Sequence, residues 1–246
     1  MNDKTLTEWN PQKLSVIIPC YNEVRNIEEV IRAVEAVDVG IPKEIIVVDD
    51  GSHDGTVKVL KEIREKRGDD QLLTVHFSML NFGKGTAIRI GLKYATGDII
   101  IIQDADLEYD PKDYPAIIEP IVKGEKDVVY GSRFIGRSRP EGMKLSNWMF
   151  NKFIAFLTWI LYPGRGVTDE ATCYKAFRSD VILNLDLKCE RFEFCPEVTA
   201  KVLKGHFQFA EVPISYKART VEEGKKISWK DAFEAVYTLV KYRLKN

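Results

Sequence analysis

The chain has 246 residues, of which 45% are hydrophobic and 30% are charged, a composition that supports a sizeable globular core. Its 36 basic and 37 acidic residues give a formal net charge of -1, so the overall charge indicates no nucleic-acid partner. The four cysteines lack C-x-x-C spacing and accompany three histidines, which argues against a structural zinc site or a disulfide framework.

The sequence shows neither an export signal nor a membrane span. Residues 1–12 are polar, and no apolar leader precedes the first predicted strand. The longest strongly apolar run, residues 153–162, contains Thr158 and falls short of the roughly 20 residues that a spanning helix needs. We therefore expect a cytoplasmic protein with reduced thiols.

Several strands are predicted along the chain, with helices between them. Short runs of branched apolar side chains, typical of strands buried on both faces, occur at residues 14–18, 44–48, 72–77, 99–102 and 127–130. Alternation predicts an edge strand at residues 206–212. Repeated β-α units with short loops predict a doubly wound, mostly parallel central sheet flanked by helices.

Residues that favour helix starts follow most of these strands. The predicted capping residues are Asn26 with Glu29, Ser52 or Asp54, Ser179, and Ser228 with Asp231.

A glycine-containing loop, residues 81–87, follows the third predicted strand. Its spacing is that of neither a Walker loop nor a dinucleotide fingerprint, which excludes a simple ATPase or dehydrogenase. Lys84 of this loop would approach a phosphate or a base, or else project into solvent, as such lysines commonly do.

The fourth strand, four consecutive isoleucines, ends at three acidic residues spaced two apart: Asp104, Asp106 and Glu108. Ligands of open α/β sheets bind beyond the carboxyl ends of the strands. Carboxylates at that edge suit Mg²⁺ or Mn²⁺, which usually complete their coordination with substrate phosphates. A metal-bridged nucleotide is the first hypothesis, and a solvated acidic turn before Pro111 is the alternative.

The second part of the chain carries basic loops and a long amphipathic segment. A basic loop at residues 133–144 precedes residues 147–162, which predict either a helix in a membrane interface or a core helix packed on the sheet. A second basic loop at residues 215–226 precedes a final helix. We expect a single domain, residues 1–246, with a cation-binding half at about 13–125 and an anion-binding half at about 126–246.

Five motifs in order closely resemble family 2 glycosyltransferases of the GT-A fold. They are Val16 to Glu23, Val47 to Ser52, Asn81-x-Gly83-x-Gly85, Asp104-Ala105-Asp106 and Gly131-Ser132-Arg133. A further motif, Tyr174-Lys-Ala-Phe-Arg178, is similar to the corresponding motif of polyprenyl-phosphate sugar synthases of the dolichol-phosphate mannose synthase type.

The resemblance implies a nucleotide-diphosphate sugar donor, of the GDP-mannose or UDP-glucose type, and a polyprenyl or dolichyl phosphate acceptor. The implied nucleotide-binding residues are Pro19, Tyr21, Glu23, Asp50, Ser52, Lys84, Asp104 and Ala105. Asp106 with Glu108 would hold the divalent metal that bridges the diphosphate. Relatives often have Gln where Glu108 stands, which leaves the choice between Mg²⁺ and Mn²⁺ open.

The implied phosphate-binding residues lie in the second half. Arg133, Arg178 and Arg219 would bind the acceptor phosphate, and Lys225 and Lys226 would close over the donor, because guanidinium groups fit phosphate oxygens in bidentate geometry. The anionic acceptor would attack the anomeric carbon in line, inverting its configuration, with positioning and electrostatics carrying the catalysis.

Other interpretations stay open. A saccharide hydroxyl acceptor would require a general base, for which Asp169 or Glu170 would serve, although we favour Asp169 as a residue that orients Arg178 or its loop. A nucleotide-sugar-binding protein without catalysis is a third hypothesis. Because relatives often carry transmembrane helices, we expect attachment to the inner membrane face through residues 147–162, the terminal helix or a membrane partner protein.

Overall fold

The computed structural model describes residues 9–68, 72–164, 166–218 and 229–245. Its strands are β1 (Leu14–Cys20), β2 (Lys43–Asp49), β3 (Leu73–Phe77), β4 (Ile99–Ile102), β5 (Val128–Ser132), β6 (Lys175–Arg178) and β7 (Phe209–Pro213). Its helices are α1 (Ile27–Ala36), α2 (Thr56–Arg67), α3 (Lys84–Leu92), α4 (Tyr114–Val122), α5 (Leu145–Leu161), α6 (Ser179–Leu183), α7 (Phe194–Lys204) and α8 (Trp229–Leu244). A short 3₁₀ turn at Pro111–Asp113 precedes α4.

All seven strands form one sheet in the order β3-β2-β1-β4-β6-β5-β7. β1 to β4 pair in parallel, and β7 pairs in parallel with β5 at the edge. The predicted mostly parallel sheet is therefore confirmed, and one sheet contains strands from both halves of the chain. The exception to the parallel pairing is β6, which runs antiparallel between β4 and β5.

Side chains of the central strands alternate between two buried layers. Ile99 and Ile101 of β4 pack with α1, α2 and α4, whereas Ile100 and Ile102 pack with α3, α6 and α7. All four isoleucines are fully buried, which is why this strand is apolar throughout. Consequently, the acidic residues that follow β4 are attached to a strand that helices cover on both faces of the sheet, which holds the start of their loop in place.

The capping predictions are only partly correct. Asn26 makes no capping bond and donates to the Glu23 carboxylate at 2.8 Å. Gly55 begins α2 with a positive φ, and Asp54 accepts from the Thr56 amide at 3.0 Å. Ser179 is the first residue of α6 and does not cap it. Ser228 lies outside the described residues, so its predicted capping box with Asp231 is not described.

Helix α5 has one buried side, which packs on α7 and α8 more than on the sheet, and one exposed side. Its inner side buries Ile154 and Thr158 in a third cluster shared with α7 and α8. Its outer side, called here the outer face of α5, consists of large apolar side chains that are more than half exposed: Leu145, Met149, Phe153, Phe156, Trp159 and Ile160. Among the described residues, no helix has the length and hydropathy to cross a bilayer.

Candidate functional site

A cavity of about 450 Å³ lies beyond the carboxyl ends of β1, β2 and β4. Parallel strands end at the same side of the sheet, so the side chains of the loops that follow them meet there. The cavity wall contains most of the predicted site residues: Pro19, Tyr21, Glu23, Asp50, Lys84, Asp104, Ala105, Asp106, Glu108 and Arg133.

Asp50 fixes the glycine-containing loop at one end of the cavity. Its carboxylate accepts from the amides of Phe82 and Gly83 at 2.9 and 2.7 Å. Burial raises the pKa of Asp50, although these two amides oppose the shift. Gly83 has a φ of +98°, and a Cβ there would lie 2.5 Å from the Glu190 carbonyl oxygen. The loop therefore requires glycine for close backbone packing.

Lys84 is held in the cavity wall and does not project into solvent. Its ammonium group forms an ion pair with Asp104 and donates to the Cys173 sulfur at 2.9 Å. Burial works against its charge, but Asp104 raises the pKa of Lys84 well above its usual value. Lys84 is therefore a fixed positive charge beside the acidic loop.

Asp106 and Glu108 occupy the turn that follows Asp104. Asp106 accepts from the Glu108 amide at 3.0 Å, and the Glu108 carboxylate accepts from the Tyr216 hydroxyl at 3.3 Å. No group of three or more His, Cys, Asp or Glu side chains suited to a metal occurs among the described residues. Two hard carboxylates fit Mg²⁺ or Mn²⁺ that takes its other ligands from phosphates and water. They do not fit a cation enclosed by protein ligands alone.

Arg133 forms a buried ion pair on the opposite wall. Asp169 accepts from Nε and Nη2 of Arg133, each at 2.7 Å, and from its backbone amide at 2.9 Å. Asn151 of α5 accepts a further bond at 3.2 Å, and the Tyr216 ring lies 5.1 Å from the guanidinium carbon. Despite burial, Asp169 raises the pKa of Arg133 well above its usual value. Asp169 thus orients Arg133, and the expectation that it orients Arg178 is wrong.

The structure does not bring all predicted residues to the cavity. Arg178 pairs in register with Ile99, at the opposite end of β4, and donates to Asp180 at 2.9 and 3.1 Å. Its predicted place at the acceptor site is therefore wrong. Ser52 lies behind the cavity wall, where its hydroxyl accepts from the Asn22 amide at 2.8 Å. Arg219, Lys225 and Lys226 lie outside the described residues.

Further cavity residues had no assigned place in the sequence analysis. They are Tyr109, Asn151, Cys173, Arg191, Cys195 and Tyr216. Separate elements supply them, and no short motif connects them, so spacing along the chain could not reveal them. Glu170, considered as a base, is fully buried, and one of its carboxylate oxygens has no partner. Burial raises the pKa of Glu170 to about 8, so it is protonated at neutral pH.

Comparisons with known proteins agree with this geometry. The family model described as Glycosyl transferase family 2 matches residues 15–185. A dolichol-phosphate mannosyltransferase of Pyrococcus furiosus is 32% identical over 240 residues, which cover 94% of this chain and 64% of that relative. A UDP-N-acetylglucosamine–dolichyl-phosphate N-acetylglucosaminyltransferase of Methanococcus voltae is 32% identical over 214 residues, covering 81% of this chain and 83% of the relative.

Solved structures share the fold. Glucosyl-3-phosphoglycerate synthase of Mycobacterium tuberculosis, in complex with Mn²⁺, UDP and glucosyl-3-phosphoglycerate, superposes with a TM-score of 0.69 at 21% identity, over 94% of this chain and 80% of that one. Mannosyl-3-phosphoglycerate synthase of Rubrobacter xylanophilus gives a TM-score of 0.69 at 18% identity, over 94% of this chain and 73% of that one. The predicted GT-A fold is confirmed.

Proposed function

The chain belongs to glycosyl transferase family 2, and from that premise we propose that it transfers a hexose from a nucleotide-diphosphate sugar to a polyprenyl phosphate. Two relatives, a dolichol-phosphate mannosyltransferase and a dolichyl-phosphate N-acetylglucosaminyltransferase, support the class of acceptor. The chain spans 64% of the length of the first of these relatives.

One observation carries the proposal. The cavity that contains the acidic loop is walled on its other side by α5 and α8, through Asn147, Phe150 and Asn151 of α5 and Ala232 and Ala235 of α8. The same α5 exposes an apolar outer face. A polar site for a nucleotide and an apolar surface for a lipid chain therefore share one helix.

The donor would bind along the ends of β1, β2 and β4. The end of the cavity that suits a nucleoside is lined by Pro19, Tyr21, Glu23 and Asp50. Lys84 would remain positively charged beside the phosphates because it forms an ion pair with Asp104. Asp106 and Glu108 are the residues that would hold Mg²⁺ or Mn²⁺. When bound, such a cation supplies Lewis-acid stabilisation of the negative charge on the leaving nucleoside diphosphate.

The acceptor phosphate would bind at the Arg133 wall. A phosphate monoester carries its own negative charge at neutral pH, so its oxygen needs orientation more than deprotonation. Asp169 and Asn151 hold the Arg133 guanidinium in one position. Because the Arg133 guanidinium is already oriented and removed from water, it would stabilise the phosphate without reorganising during the reaction.

A hydroxyl acceptor is the second hypothesis, and the geometry disfavours it. Both Asp169 oxygens accept hydrogen bonds from Arg133, so this carboxylate is engaged in a buried ion pair. Glu170 has a pKa of about 8 because of burial, so it holds its proton at neutral pH. Asp169 is therefore not free to accept a proton, and burial favours the protonated form of Glu170.

The outer face of α5 would rest on a bilayer surface. Exposed Arg137, Arg139 and Lys144 come just before this helix, and Lys152 lies on it. Apolar side chains beside basic residues suit the headgroup region of anionic lipids. Phe233, Tyr237 and Leu244 of α8 are also largely exposed, and they would extend the same apolar surface if both helices meet the membrane.

The transfer assay uses the purified chain, labelled GDP-mannose, UDP-glucose or UDP-N-acetylglucosamine, a short polyprenyl phosphate, and Mg²⁺ or Mn²⁺. The expected result is label in the lipid phase that depends on both the lipid phosphate and the cation. Transfer to a soluble saccharide, with none to the lipid, would support the hydroxyl acceptor instead. Cation-dependent nucleotide binding without transfer or donor hydrolysis would identify a non-catalytic binding protein.

The membrane test compares matched surface substitutions in co-sedimentation with vesicles of phosphatidylcholine and phosphatidylserine. Phe156→Ser with Trp159→Ser should reduce vesicle binding, because both side chains are more than half exposed on α5. Met79→Ser is the control, since Met79 is 96% exposed on a loop away from this helix. Equal vesicle binding by the control and the double variant would contradict the assigned surface.

A further inference from the structure

Two of the four cysteines meet on one wall of the cavity. Cys173 comes just before β6, and Cys195 lies in the first turn of α7. The Cys195 thiol is 3.5 Å from the carbonyl oxygen of Thr172, the residue that precedes Cys173. The two thiols therefore come together although 21 intervening residues separate them in sequence.

Two lysines lie beside this pair, together with the Asp104 carboxylate that pairs with one of them. Lys84 donates to the Cys173 sulfur at 2.9 Å, and Lys175 is buried nearby, where it donates to the Glu170 carbonyl oxygen at 2.9 Å. A hydrogen bond from Cys173 lowers the pKa of Cys195, and the charges of Lys175 and Lys84 act in the same direction. Cys195 also lies at a helix N-terminus, where thiolates are favoured.

The other cysteines lie in different surroundings. Cys189 is buried, and its burial together with the carboxylates of Glu197 and Glu193 raises its pKa. Cys20, at the end of β1, also borders the cavity, but its side chain is buried and packs in the core, away from the two lysines beside Cys173 and Cys195. A thiolate is the reactive form of cysteine, so the Cys173 and Cys195 pair is the place where an oxidant in the cavity would react first.

We propose that Cys173 and Cys195 form a peroxide-reactive dithiol, a modification site in the cavity wall whose oxidation weakens nucleotide binding. The modification itself stands on the paired thiols and their lysines. Its effect on sugar transfer rests on the proposed function.

The chemistry balances with hydrogen peroxide as the oxidant. The Cys195 thiolate attacks one peroxide oxygen and breaks the O–O bond, which gives a sulfenic acid and, after protonation, water. The Cys173 thiol then attacks the Cys195 sulfur and breaks its S–O bond, and the thiol proton passes to the departing hydroxide to give the second water. Two thiols are oxidised to one disulfide, and one peroxide is reduced to two waters.

The disulfide would act on the donor site through Lys84. At present the ammonium group is shared between Asp104 and the Cys173 sulfur. The hydrogen bond to Cys195, together with burial, raises the pKa of Cys173, so the negative charge of the reduced pair lies on Cys195. A disulfide carries no charge, so oxidation removes a negative charge close to the Lys84 ammonium group. The bond would also join the segment before β6 to α7, and both of these contribute residues to the cavity wall.

The first test identifies the bond. The reduced chain is treated with hydrogen peroxide, alkylated, and digested with trypsin without reduction. The expected product is a linked pair of peptides containing Cys173 and Cys195, because Lys175 and Arg191 provide cleavage sites between them. Oxidation spread equally over all four cysteines, or confined to Cys189, would overturn the proposal.

The second test measures the consequence, with GDP or UDP and Mn²⁺ as probes in a thermal-shift titration. Peroxide should weaken nucleotide binding by about tenfold, the loss expected for a charge-assisted hydrogen bond, and dithiothreitol should restore it. Cys195→Ser should lose this response relative to its own untreated state, whereas Cys189→Ser should respond as the unaltered chain does. A linked pair that leaves nucleotide affinity unchanged would refute the inhibitory role.

The two proposals fail in distinguishable ways. If the reduced chain binds neither nucleotide, the proposed function fails, and the mass measurement alone decides the modification site. If nucleotide binding and transfer occur but no linked peptide forms, only the dithiol proposal fails.

Discussion

The substitution Asp169→Asn separates the two roles considered for this carboxylate. Asp169 is fully buried and accepts three hydrogen bonds from Arg133, which is itself 7% exposed. An asparagine would leave the guanidinium charge buried without its counter-charge and turn an amide donor toward it. Breaking a buried pair in this way costs about 3 kcal/mol. For a chain of this size, that loss lowers the melting temperature by roughly 6 to 12 °C.

The assay is differential scanning calorimetry beside the lipid-transfer measurement. Glu28→Gln provides the control, because Glu28 pairs with Arg32 on the exposed side of α1, with side chains 47% and 73% exposed. Loss of that pair should change the free energy of unfolding by less than about 0.5 kcal/mol. An Asp169→Asn protein with an unchanged melting temperature and a rate reduced by about a thousandfold would refute the positioning role and identify Asp169 as a base.

Three further substitutions test separate parts of the structure. Burial raises the pKa of Glu170 from 4.5 to about 8, so the folded state retains a proton that the unfolded chain releases. The free energy of unfolding should therefore fall by up to about 1.4 kcal/mol for each unit by which the pH rises between these two pKa values. Glu170→Gln should flatten this slope in thermal denaturation, and an unchanged slope would contradict the assignment. Gly91→Ala places a Cβ 2.5 Å from Ile17 and should cost about 1 to 3 kcal/mol in urea denaturation, whereas Gly166→Ala, with no atom within 4 Å, should be nearly neutral. Asp106→Asn should abolish the Mn²⁺-dependent part of nucleotide stabilisation in a thermal-shift titration, and retention of that part would exclude it as a metal ligand.

The sequence was sufficient to locate the strands whose residues are uniformly apolar. The isoleucines of β4 are buried on both faces, so their pattern alone predicted a strand and the position of the acidic loop beyond it. β6 escaped prediction because its four residues include Lys175 and Arg178 and so lack the uniformly apolar pattern of β4, although it pairs with a strand on each side. Its pairing register places Arg178 beside Ile99, at the end of β4 that lies opposite the cavity.

The same distinction applies to the cavity. Residues next to a strand end, such as Asp50, Lys84 and Asp106, were predicted to lie in the site, and they do line the cavity. The pairing of Arg133 with Asp169, and of Cys173 with Cys195, depends on how distant loops fold onto one another. Neither pairing has a local pattern, and so neither could be predicted from spacing.

The position of β6 has a consequence for the order in which the sheet is completed during synthesis. β1 to β4 can pair among themselves as soon as residue 102 is available. β5, however, finds no neighbour among the strands that precede it, because its partners are β6 and β7. The strand formed by residues 128–132 therefore has no partner while more than forty further residues are synthesised. A strand whose edges stay unpaired for that time is prone to intermolecular association. A nascent chain stalled just before residue 175 should depend on chaperones more than one stalled after residue 213.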